Sequence, residues 1–244
     1  KADVVMNNLS NSAAVNYKGN LIFNEFNIGR LLDVKDLGKT TFNLFVDGEG
    51  FTKQTLNTQV RGRISKLAYN NYTYSDVLVM GTVKNSVFNG NLVSNDPNLK
   101  MEFMGLVDVS GLENKYDFEA SVGYADLNAL NFVSRDSTSI FKGDVLMNMQ
   151  GNNLDNIFGN ILLLNATYQN ATDLYYFDDL SITSTFDPEG IRTIAVESPD
   201  VINGQVTGNF KISEVGALIE NSLGSIYTNY RPNTITSNQW MEFD

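Results

Sequence analysis

L-K-M-E-F-M-G-L-V-D-V, residues 99–109, sets Leu99, Met101, Phe103, Val107 and Val109 on one side with Gly105, and Lys100, Glu102 and Asp108 on the other. A period of two marks a strand with one face out of water. Met104 and Leu106 leave the second face partly apolar. The alternation recurs at Tyr116, Phe118, Ala120, Val122 and Tyr124, at Val145, Met147 and Met149, and at Ile202, Val206, Phe210 and Ile212. Phe42, Leu44 and Val46, then Val60 and Ile64, Val77 and Val79, Ile161 and Leu163, and Leu180 and Ile182 extend the same apolar set. Between these runs lie the turn formers Asn70-Asn71, Asn95-Asp96-Pro97 and Asp187-Pro188-Glu189-Gly190. The pattern predicts an antiparallel meander with strands over 15–23, 40–48, 57–67, 72–83, 86–94, 99–110, 115–125, 138–150, 159–169, 174–186, 191–197 and 201–212.

The chain also repeats itself at about a hundred residues. N-I-G-R-L from Asn27 returns as D-L-N-A-L from Asp126 and E-V-G-A-L from Glu214, and G-N-L-I-F from Gly19 reads against G-N-F-K-I from Gly208. Such a period points to an array in which each unit completes its neighbour's core. The first unit covers about 17–125, the second about 126–212, and a third starts over 208–244. Each recurring mark reads as a short helix docked on the sheet, with Ile28 and Leu31, Leu127 and Leu130, and Val215 and Leu218 as apolar pairs. The second spacing is shorter by one strand and its turn. In a meander an odd change reverses chain direction, so the third mark is expected at the opposite margin of the sheet from the first two.

Composition narrows the function. With 42% hydrophobic and 18% charged residues the chain is folded throughout. No apolar run approaches a membrane span, and Lys1 opens into polar sequence as at a processing boundary. A net charge of −11 argues against a nucleic-acid partner, which needs cations along phosphates. The chain has no cysteine and no histidine. The second absence removes the commonest general base and zinc ligand together, and the reading is of a protein that is not an enzyme. Acid pairs such as Asp178-Asp179 read as strand edges, and no cofactor loop appears. Ser137, in Asp136-Ser137-Thr138, fits a short pattern used for O-glycosylation in the envelope of some Gram-negative bacteria.

F-N-I-G-R-L-L from Phe26, F-K-G-D-V-L-M-N-M-Q-G-N-N-L from Phe141, Y-F-D-D-L-S-I-T-S-T-F from Tyr176 and N-S-L-G-S-I-Y-T-N-Y from Asn221 together resemble the TamB family in its Bacteroidota-type versions, within the wider AsmA-like group. TamB proteins are the inner-membrane-anchored subunits of the translocation and assembly module. The resemblance implies that residues 1–244 are an internal part of a long periplasmic β-groove, also called a β-taco. It implies a phospholipid or other acyl-chain ligand, a TamA-type outer-membrane barrel as partner outside this stretch, and outer-membrane proteins as further substrates. The apolar residues named above, from Phe42 to Ile212, would line the groove. Acyl chains would slide along that lining, or unfolded barrel strands would be held by strand addition. Alternation does not separate a filled sandwich or barrel core from an open trough; without the resemblance the filled core is favoured, and with it the groove is.

Overall fold

The computed structural model describes residues 1–10, 15–27, 29–30, 37–134, 136–199, 201–227, 229–236 and 238–244. Fourteen strands form one sheet in which every strand pairs with its neighbours in sequence: β1 Ala2–Asn7, β2 Asn16–Asn27, β3 Leu37–Glu49, β4 Asn57–Tyr69, β5 Tyr72–Lys84, β6 Val87–Asp96, β7 Leu99–Asp108, β8 Lys115–Asp126, β9 Ile140–Gln150, β10 Phe158–Gln169, β11 Leu174–Phe186, β12 Arg192–Ser198, β13 Ile202–Asn209 and β14 Trp240–Phe243. The order is linear and antiparallel and does not close, so β1 and β14 are edges. A filled barrel is thereby excluded. The twelve strands expected from alternation are all present, and the two edge strands are additions.

Six strands, β3–β8, separate the first two recurring marks, and five, β9–β13, separate the second from the third. The β13 connection therefore leaves from the margin opposite the β2 and β8 connections, as the spacing predicts. The first mark, Ile28 with Leu31, lies outside the described residues. The second is a turn and not a helix: Leu130 N–H donates to the Asp126 carbonyl, Asp126 Oδ1 accepts from Ala129 N–H, and Asn131 at φ 62° ends the turn. The third forms a helix, α1 (Val215–Gly224), after a 3-10 turn over Ile212–Glu214. Its docking differs from expectation as well. Ile219 and Leu223 stay exposed, and the helix is held by its own following segment, where Tyr230 Oη donates to Asn221 Oδ1 at 2.9 Å and Asn233 N–H at 2.6 Å. Ten residues with two short apolar pairs give too little stripe to lie on a sheet.

The copies share local geometry beyond the quoted motifs. The register shift between Phe23 and Phe26 in β2 recurs 99 residues on, between Val122 and Ala125 in β8. The turn at Thr52, where Thr55 and Leu56 N–H both donate to the Thr52 carbonyl, recurs 101 residues on, at Asn153 with Asn156 and Ile157.

A single 14-stranded sheet has no second layer to bury its apolar side, so it curls. Val77, Val79, Phe103, Ala120 and Val122 are each under 10% exposed on one face of that sheet. The accessible surface of 15285 Å² is nevertheless roughly two-fifths above the ~10,800 Å² of a compact protein of 27.1 kDa. The chain is curled and open at once. Gly81, Gly90 and Gly105 stand side by side across β5, β6 and β7 on the inner face. A Cβ on Gly90 would meet the Met80 carbonyl oxygen at 2.4 Å, so the curl brings backbone where a side chain would stand.

Candidate functional site

Register assembles the apolar residues into continuous rows across the sheet. One runs Phe42, Ile64, Val77, Ser94, Met101 and Val122 over β3–β8. The next runs Leu44, Gly62, Val79, Leu92, Phe103, Ala120, Val145, Leu163 and Leu180 over β3–β11. A third holds Val46, Val60, the glycine trio, Phe118, Met147, Ile161 and Ile182, ending on Val196 and Gly204. Val107, Met149 and Val206 lie in the row beyond. These strand residues all fall on one face, and Leu99 joins it in a buried cluster with Tyr74, Val77, Val122, Ala125 and Leu130. Tilted ring pairs extend the lining laterally, with Phe103 and Phe118 centroids 4.9 Å apart and Phe23 and Phe42 5.3 Å apart.

Four expected lining residues are not placed within these rows. Tyr124 pairs with Lys100 on the outer face, because the bulge after Val122 turns Ala125 inward in its place. Phe210 and Ile212 lie beyond the end of β13, Phe210 buried and Ile212 opening the 3-10 turn. Ile202 begins β13 and is half exposed. Alternation missed Tyr17, Leu21, Phe23, Phe88, Leu92, Ile194 and Val196, which share the face through register. They carry the same period of two as the residues beside them in the rows. Ser137 is exposed in the β8–β9 connection.

Two charged side chains fall in inner-face register, one at each margin, and both are 1% exposed. Asp96 ends β6. Burial alone would raise its pKa, but the Tyr72 hydroxyl at 2.6 Å, the Asn98 N–H at 2.9 Å and the Ser75 N–H and hydroxyl hold it below the usual carboxylate range. Arg192 begins β12 and donates to Ser184 Oγ at 3.0 Å and to the carbonyls of Leu154, Asp155 and Ile157 at 2.9, 3.2 and 2.7 Å. It fastens the β9–β10 connection over the sheet, and Asp155 in turn accepts from Ser213 N–H and hydroxyl. At the other margin Asn70 and Asn131 exchange amide hydrogen bonds at 3.2 Å, joining the β4–β5 turn to the β8–β9 connection. Tyr74 beneath them has its hydroxyl pushed up to about 12 by burial, then by neighbouring Tyr69, Tyr72 and Asp96.

The outer face carries the water-facing chemistry. Lys18 pairs with Asp47 at 2.6 Å, Arg63 with Asp76 at 3.3 Å, and Arg61 lies 4.5 Å over the Phe45 ring. Two clefts of about 530 and 410 Å³ also lie there, bordered by Lys18, Asp47 and Gln59 and by Leu162, Asp179 and Glu197. Among the described residues no cluster of His, Cys, Asp or Glu could hold a metal ion, and no helix is long and apolar enough to cross a membrane. No family model, curated protein or solved structure matches the chain.

Proposed function

We propose that this chain is a stretch of a periplasmic, lipid-conducting bridge between inner and outer membranes, acting without chemistry of its own and supporting outer-membrane biogenesis. The observation that carries the proposal is the unbroken apolar face running from Val4 in β1 to Phe243 in β14, curled and without a covering layer. Fourteen strands at ~4.8 Å give that face a contour of about 60 Å. This exceeds the ~30 Å hydrocarbon thickness of a bilayer. Each methylene sheltered there gains about 0.8 kcal/mol over water. A greasy lining therefore moves acyl chains without a specific pocket, which agrees with a site defined by face and not by motif. The TamB resemblance supplies the setting, with the anchor helix and the TamA-type barrel contact lying outside these residues.

Ile161→Asp sets a carboxylate in the middle of the face, between Met147 and Ile182. Leu162→Asp sets one on the outer face beside Ser181. A fluorescent acyl probe is expected to bind the first variant roughly tenfold more weakly, a loss of about 1.4 kcal/mol, and the second like the wild type. Unfolding curves verify that both remain folded. Unchanged binding in Ile161→Asp, or equal loss in Leu162→Asp, contradicts the proposal.

A second reading rests on the β1 edge. Lys1 and Ile22 exchange hydrogen bonds at 2.7 and 2.8 Å, so the backbone groups of Ala2, Val4 and Met6 point away from β2, toward the side where a further strand would pair. An unfolded barrel strand could add there, which makes the chain a holdase for outer-membrane proteins.

A further inference from the structure

Resting on the groove reading, we infer that the cargo carries an uncharged or zwitterionic headgroup, and that anionic lipids are disfavoured. A headgroup phosphate inside the groove would need a cation facing it. The two charged side chains in inner-face register, Asp96 and Arg192, are closed off by protein partners, Arg192 by three carbonyls and a hydroxyl. Among the described strand residues, Lys18 and Arg63 stand on the outer face paired with carboxylates, and Arg61 lies there over Phe45. The headgroup must therefore stay in water at the groove mouth while the acyl chain lies inside. There it meets the field of a chain with formal charge −11. The fields of such charge distributions amount to several kT at a protein surface, and one extra negative charge feels that potential directly. A phosphocholine or phosphoethanolamine headgroup has no net charge and escapes it.

The test compares monomeric lysophospholipids of one acyl chain length bearing phosphocholine or phosphoglycerol headgroups, titrated onto the intact chain at low and at high salt. The zwitterionic lipid is expected to bind about fivefold tighter at low salt. The gap should shrink to within about twofold at ~1 M salt, where the Debye length falls to ~3 Å. Equal affinities at low salt, or tighter phosphoglycerol binding, overturn the headgroup inference and leave the groove reading standing. A preference that ignores salt overturns its electrostatic basis. Failure of both lipids to bind overturns the groove reading itself.

Discussion

Gly90→Val is expected to unfold the centre of the sheet. The added Cβ falls 2.4 Å from the Met80 carbonyl oxygen and 2.5 Å from the Gly81 Cα, both backbone atoms that no rotamer change can move aside. Overpacking usually costs about 1–3 kcal/mol, and a collision with backbone lies at or beyond the top of that range. For a chain of this size the melting temperature should fall by roughly 6–12 °C. Asn91→Val, one residue on and exposed on the outer face, is the control and should change stability by no more than about 0.5 kcal/mol. Equal melting of the two variants would show that the inner face is not crowded at the glycine row.

Arg192→Met has the second large effect, for the opposite reason. It removes a donor set and fills the space with apolar atoms. The carbonyls of Leu154, Asp155 and Ile157 and the Ser184 hydroxyl then lose their guanidinium partner. Each buried group left unsatisfied costs about 1–3 kcal/mol, and relief by water limits the total to about 3–5 kcal/mol. Amide exchange should rise first in the connection over residues 152–157 and in the 3-10 turn joined to it through Asp155. Arg192→Lys keeps the charge but offers one ammonium to acceptors spread over a planar fork, so it should recover less than half of the loss. Full recovery by lysine would mean that charge, not the hydrogen-bond fork, holds the margin.

Much of this fold is legible in the amino-acid order because one rule, alternation, repeats for twelve strands. Residues such as Met101 and Phe103 or Met147 and Met149 reveal their face by spacing alone. The bulges are not legible in that way. Glu25, Asp76 and Asn165 sit inside strands at φ 51°, 50° and 47°, and residues around them leave the period of two. Tyr124 was misplaced for this kind of reason, since nothing in Val122-Gly123-Tyr124-Ala125 marks the register shift opposite Lys100 and Met101. The helix expected at Leu127 failed on a smaller scale, where Asn128 donates to the Val133 and Asp136 carbonyls and draws the chain back into a loop. The edge strands escaped detection because six and four residues give alternation too little length to register.

The hundred-residue period acquires a physical meaning from these details. The same bulge in β2 and β8, and the same turn after β3 and β9, stand on the same sides of one sheet. A repeated bulge keeps re-aiming side chains inward at one margin, and a repeated turn keeps folding the chain over the other. Both act to preserve a single apolar face across strands that differ in sequence. Gly19 and Phe118 hold equivalent places in their copies, and the face accommodates either.

Leu162 and Leu163 allow the most direct measurement. They are adjacent in β10, equally apolar and both half-buried, yet Leu163 lies in the inner row between Val145 and Leu180 while Leu162 opposes Leu146 and Ser181 outside. A photo-activatable amino acid placed at each in turn, in cells fed a radiolabelled acyl precursor, should crosslink lipid strongly from position 163 and only at background from 162. Equal labelling from both positions, or none from 163 in a folded protein, would contradict a lipid groove on the inner face.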